Sequence, residues 1–132
     1  MTRLRILVTG SRAWDDPAVI RYAIDDALAS HATMAPPVLI HGAAAGADSI
    51  ADQYWRYLRH QWPGLDRAER YPSSDFPSPR ARNQHMVDLG ATVCLAFALS
   101  WRSGTGMCAR MARAAGIPVR DYGVDTNPEA RP

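Results

Sequence analysis

Three stretches of this chain join an apolar, β-branched run to small residues and then to the start of a helical pattern. They are residues 4–12 (LRILVTGSR), 38–48 (VLIHGAAAGAD) and 91–106 (ATVCLAFALSWRSGTG). A strand, a glycine-rich turn and a helix N-terminus together form an anion site. The first helical N–H groups lack intrahelical partners, and the macrodipole adds partial positive charge there. Three such turns in one small chain predict a phosphate-bearing ligand.

The residues around these turns suit that chemistry. Gly10 permits a tight turn after the strand, Ser11 can donate to a phosphate oxygen, and Arg12 offers a planar fork to the same charge. An ordinary strand-to-helix turn with Arg12 solvated is the alternative. Trp14 either stacks on a base or covers the first helix. In the second turn the small residues Gly42, Ala43 and Gly46 let a ligand approach the backbone closely. Asp48 would accept from ribose hydroxyls, or would satisfy helix N-terminal N–H groups. His41 at the strand end reads as a hydrogen-bonded core residue before it reads as a base. Arg80, Arg82 and Asn83 begin a further helix, where guanidinium groups oppose the dipole unless an anion lies nearby. Solvated surface arginines are the other reading. The chain contains no lysine, which excludes a Walker-type phosphate loop.

Alternating strand and helix periods must position these residues. Strands are predicted over residues 5–9, 38–41, 68–71, 92–97 and 117–122, and helices over about 17–30, 47–60, 80–89 and 105–115. Pro17, capped by Asp15 or Asp16, opens the first helix. The second helix should bury Ile50, Ala51, Tyr54 and Leu58, and residues 72–79 should be a loop without regular structure. About five parallel strands with helices on both faces make a doubly wound α/β sheet. Its ligands bind outside the carboxyl ends of the strands, where the three turns fall.

At 132 residues and 47% hydrophobic, the chain has enough apolar content for one domain. That domain is expected over residues 1–122, with a flexible tail over 123–132. No apolar run reaches the roughly 18 residues of a membrane span, and no signal-peptide core precedes the first strand, so a soluble, cytoplasmic protein without a membrane partner is expected. Cys94 and Cys108 lie in apolar surroundings without partners at metal-ligand spacing, which predicts buried free thiols and no metal site. A net charge of +2 is too mild to imply nucleic acid by itself.

The blocks Thr9-Gly10-Ser11-Arg12 with Trp14, His41 through Asp48, Arg82-Asn83 with Met86, and Ser103-Gly104-Thr105 leading to residues 114–119 (AAGIPV) resemble the YspA-like branch of the SLOG superfamily. That superfamily groups the Smf/DprA proteins with the Lonely Guy phosphoribohydrolases. The resemblance implies a Rossmann-like nucleotide-binding domain and adds weight to Arg82 and Asn83. Lonely Guy enzymes carry P-G-G-x-G-T-x-x-E, whose glycines and threonine hold phosphate and whose glutamate promotes N-glycosidic cleavage. Aligned on that motif, Ser103, Gly104, Thr105 and the N–H of Gly106 keep the phosphate role. Cys108 stands at the glutamate position, and a neutral thiol supplies no charge to an oxocarbenium-like transition state.

These observations predict a module that binds a nucleotide or nucleotide-derived ligand, ADP-ribose-like or a nucleoside phosphate, as a sensor or sequestering protein without an assigned catalytic residue. A phosphoribohydrolase is the first alternative, with Asp48 or Asp75 as substitute acids. Single-stranded DNA binding is the second, with Arg56, Arg59, Arg67 and Arg70 on phosphates and Trp55 or Trp62 stacking on bases. Tyr54, Trp55, Tyr57 and Trp62 exceed what a monomer of this size needs on its surface, which predicts a homodimer or higher homo-oligomer.

Overall fold

A computed structural model describes residues 3–31, 35–100 and 104–123. Ser103 and the tail beyond Gly123 lie outside the described residues. The elements run β1 (Arg5–Gly10), α1 (Pro17–Ala29), β2 (Val38–His41), α2 (Ala47–Gln61), β3 (Glu69–Arg70), a 3₁₀ turn (Ser73–Asp75), α3 (Pro79–Asp88), β4 (Val93–Phe97), α4 (Gly104–Ala114) and β5 (Val119–Asp121).

All strand pairs are parallel, in the order β3-β2-β1-β4-β5. β1 is central, with Ile6 opposite Leu39 on one side and Val93 on the other. Being covered on both faces, it is apolar throughout Ile6, Leu7 and Val8, and successive side chains feed opposite layers. Ile6 and Val8 join Ile20, Ile24, Leu39, Trp55, Leu95 and Phe97 beneath α1 and α2. Leu7 joins Ile40, Met86, Val87, Cys94 and Cys108 beneath α3 and α4.

The chain winds outward from β1 in one direction through β2 and β3, and in the other through β4 and β5. The reversal between β1 and β4 opens a crevice at their carboxyl ends, the position at which such sheets bind ligands. Gly10 and Phe97, paired in register, mark its floor.

Local chemistry sets the helix starts. Asp16 caps α1 by accepting from Ala18 N at 3.0 Å, and Ser78 caps α3 by accepting from Ala81 N at 3.1 Å. A proline follows each cap, so Asp-Pro and Ser-Pro perform the same task twice. Gly90 and Gly116, at φ +82° and +81°, take left-handed turns just beyond α3 and α4.

Two expectations need correction. Residues 72–79 are not wholly irregular: the turn at Ser73–Asp75 closes by Asp75 N donating to Pro72 O and Phe76 N to Ser73 O. Two i→i+3 bonds suffice for a short 3₁₀ turn, and α3 already begins at Pro79 because proline is tolerated at a first helical position. α2 also turns a different face inward. Ala47, Asp48, Ala51, Asp52 and Trp55 are buried, while Ile50, Tyr54 and Leu58 are partly buried. Two carboxylates inside this face break its apolar pattern, and each proves to have a structural partner.

Candidate functional site

The crevice contains a cleft of about 540 Å³, lined by Val8 through Ala13, Ala44, Asp48, Pro79, Arg82, Asn83, Met86, Leu99, Ser100, Gly104 and Thr105. Four segments far apart in sequence therefore meet. They are the loop after β1, the start of α2, the start of α3 and the region from β4 into α4. Ser11, Arg12, Asp48, Arg82, Asn83, Gly104 and Thr105 are brought together as the motifs suggested. Gly106 is buried in the first turn of α4.

The rim presents donors. Ser11 Oγ accepts from Leu99 N at 2.7 Å, which leaves the hydroxyl hydrogen to donate elsewhere. Arg12 is exposed and has no hydrogen bond or ion pair among the described residues. Most other described arginines are engaged: Arg3 with Asp66, Arg5 with Glu69, Arg56 with Asp52 and Arg120 with Asp26. Arg82 is buried and partly tied down, its Nε donating to Asn83 Oδ1 at 2.8 Å and its Nη1 to the carbonyls of Gly42 and Tyr71. Asn83 uses only its oxygen in that bond, so its amide hydrogens remain for the cleft.

The second glycine-rich turn behaves differently from the expectation that its backbone cradles a ligand. Gly42 N and Ala44 N donate to Asp48 Oδ2 at 3.0 and 3.4 Å, and Ala43 N donates to His41 Nδ1 at 2.9 Å. Consecutive N–H groups are thus committed to protein acceptors. The turn needs Ala43 at φ +55°, a left-handed conformation that costs a non-glycine residue on the order of 1 kcal/mol.

His41 pins that conformation. Because its Nδ1 accepts from Ala43, its ring proton lies on Nε2, which donates to Asp52 Oδ1 at 2.8 Å. Asp52 is held in turn by Arg56 Nη2 at 2.9 Å. The expectation of a hydrogen-bonded core histidine agrees with this geometry. Asp52 was not among the candidates; its only sequence signal is its place one helical turn after Asp48.

The glycines of this region serve the protein. A Cβ on Gly10 would lie 2.2 Å from Ala47 Cβ, and one on Gly42 would lie 2.3 Å from Arg82 Nη1. Gly46 has φ +74°, and a Cβ there would lie 2.3 Å from Ser11 O. α2 starts against the β1 loop at this point, with Ala47 N donating to Ser11 O at 3.2 Å.

Asp48 is the carboxylate on the cleft wall. It is 5% exposed, and while Oδ2 has its two backbone donors, Oδ1 is buried without a hydrogen-bond partner. Burial pushes the carboxyl above its ordinary value of 3.8, against the pull of the Ala44 and Gly42 N–H groups and the Arg82 guanidinium. An unsatisfied buried acceptor of this kind costs roughly 1–3 kcal/mol.

The remaining residues singled out in the sequence lie off the cleft wall. Trp14 is 5% exposed, meets Phe97 edge-to-face with ring centroids 5.6 Å apart, and donates from Nε1 to Asp16 O, so it covers the core and is not available to stack on a base. Trp55 is fully buried, with Nε1 donating to Asp66 O, which removes it from both the predicted DNA-stacking surface and the self-association surface. Cys108 is fully buried, and desolvation lifts its thiol to about 11, so the group at the glutamate position is a neutral core thiol. Cys94 is likewise a buried free thiol. Asp75 lies in the 3₁₀ turn and is not on the cleft wall.

The sheet order, the crevice at the strand reversal and the polar groups converging there define a Rossmann-like α/β domain. The chain belongs to the YspA, cpYpsA-related SLOG family, whose model matches residues 4–62, covering the β1 turn, the β2 turn and α2. It is 41% identical over 123 residues to the Gene 61 protein of Mycobacterium phage D29, a match covering 90% of this chain and 96% of that protein. No solved structure matches it significantly. Family membership supports a nucleotide-related role. No helix among the described residues is long and apolar enough to cross a membrane.

Proposed function

We propose that the cleft binds a nucleotide or nucleotide-derived ligand, of the ADP-ribose or nucleoside phosphate class, and that the chain acts as a sensor or sequestering module. The observation that carries this reading is a set of donors on one rim that have no acceptor among the described residues: the Arg12 guanidinium, the Ser11 hydroxyl and the Asn83 amide. An anion seated there would also face the start of α4 at Gly104 and Thr105, where unpaired N–H groups and the dipole favour negative charge. The cleft volume falls within the range of roughly 300–1,000 Å³ common for small-molecule sites.

The test is calorimetric titration with ADP-ribose, NAD and nucleoside monophosphates, with free-base release followed in parallel. Saturable binding weakened about tenfold by Arg12→Ala, without base release, fits the reading; each tenfold corresponds to about 1.4 kcal/mol. Base release would favour the phosphoribohydrolase alternative, with Asp48 as the acid nearest the ligand. No binding of any probe at millimolar concentration would overturn both.

Self-association is proposed through the surface that holds Tyr57 and Trp62, which are 57% and 56% exposed. A monomeric mass by light scattering at micromolar protein would defeat it. The DNA alternative is weaker than the sequence suggested: Arg56 is paired with Asp52, Arg59 Nε donates to Leu65 O, and Trp55 is buried.

A further inference from the structure

The inner wall of the cleft has an acceptor that the protein does not satisfy. Asp48 Oδ1 is buried and unpartnered, although a guanidinium and several backbone donors lie close by. The bonds those groups make lie elsewhere: the N–H groups of Gly42 and Ala44 converge on Oδ2, and Arg82 commits Nε to Asn83 and Nη1 to two carbonyls, with none of its nitrogens bonded to Oδ1. Arg82 thus contributes positive charge nearby without contributing a hydrogen bond. What Oδ1 lacks is a donor, not a charge.

We infer that the inner end of the cleft receives an uncharged hydrogen-bond donor of the ligand on Asp48, which fixes the ligand with its sugar or base inward and its phosphate outward at Ser11 and Arg12. This rests on the nucleotide reading above. A phosphate oxygen seated against Oδ1 would bring two acceptors together with no hydrogen between them, a repulsive contact in a desolvated site. A ribose hydroxyl or an exocyclic amino group supplies the hydrogen without adding charge. Selectivity follows from the same argument. A site built around a buried polar group discriminates strongly against an analogue that leaves that group unpaired.

The experiment titrates AMP, 2′-deoxy-AMP, 3′-deoxy-AMP, IMP and ADP-ribose into the wild type and Asp48→Asn. In the variant the amide oxygen must accept from Gly42 and Ala44, so the amide nitrogen stands where Oδ1 was and opposes the ligand's donor with another donor. The wild type should prefer AMP by tenfold or more over one of the three analogues, and Asp48→Asn should erase that preference. Loss with a deoxy analogue identifies a sugar hydroxyl; loss with IMP identifies the base amino group. Equal affinities for all analogues, unchanged in Asp48→Asn, would overturn the inference and leave the nucleotide reading standing. Failure of every probe, ADP-ribose included, to bind the wild type would remove both. A thermal melt of Asp48→Asn confirms that the variant compared is folded.

Discussion

The two glycine-rich turns nearest the cleft look alike in sequence and do opposite work. In the turn after β2, consecutive N–H groups point at His41 and Asp48, and its glycines are small because Arg82 and the β1 loop fill the space where a side chain would stand. In the turn after β1, neither the Ser11 hydroxyl hydrogen nor the Arg12 side chain has a partner among the described residues. The turn after β2 is a brace and the turn after β1 is a set of open donors. A glycine-rich strand-to-helix turn therefore does not by itself identify the groups that touch a ligand; where its N–H groups go decides that.

Breaking the brace should have the largest effect. Gly46→Ala places a Cβ at φ +74° against the Ser11 and Arg12 carbonyls, which can yield only by moving two loops. We expect a loss of about 3 kcal/mol or more in urea unfolding, combining backbone strain and overpacking. Next in size is His41→Phe, which removes the acceptor of Ala43 N and the donor to Asp52 inside the fold. About 2 kcal/mol should be lost. His41→Asn should retain more of it, because an amide oxygen can still take the Ala43 N–H. Equal losses in the two variants would show that ring volume matters and the loop bond does not.

Asp48 joins the two regions, and its titration separates them. Its carboxyl is raised in the folded chain, so below the ordinary carboxylate range it carries no penalty, and stability is lost as pH rises through the folded value. Asp48→Asn keeps an acceptor for Gly42 and Ala44 and removes the desolvated charge. At pH values above the folded titration of Asp48 the variant should therefore melt a few degrees higher than the wild type, about 1 kcal/mol. The gap should close as the pH is lowered and the wild-type carboxyl protonates. A gap that widens on acidification would contradict the assignment of the shift to burial.

Much of the fold was legible because parallel strands buried on both faces are continuous apolar runs, and because Asp-Pro and the glycines at 90 and 116 punctuate the helices; the Ser-Pro that opens α3 was passed over as loop. The face of α2 was not. Asp48 was read as a ligand acceptor or a helix N-terminal acid and Asp52 was not read at all; the tertiary partners of each, the turn N–H groups and His41, make their burial tolerable, and sequence does not reveal them. Trp55 was misjudged, and Trp14 left between two readings, for the same reason. An indole whose N–H finds a backbone carbonyl, Asp16 O or Asp66 O, can be buried whole, and sequence does not reveal that carbonyl. The site's membership was visible as a set of motifs, whereas the division of labour inside it required knowing which donors were already taken.

The smallest expected effect on stability gives the sharpest test of that division. Gly104 opens α4 on the cleft wall, and a Cβ built there meets nothing within 4 Å. Unlike Gly10, Gly42 and Gly46, this glycine is not required by any contact within the described protein. Gly104→Ala should leave stability within about 0.5 kcal/mol of wild type, or raise it slightly, since alanine is the better helix former. Its methyl group would instead occupy space where an anion approaches the first N–H groups of α4. Affinity for AMP should then fall about tenfold, close to 1.4 kcal/mol, while urea unfolding stays unchanged. If affinity is also unchanged, the phosphate does not sit at α4, and the rim formed by Ser11 and Arg12 must hold it alone.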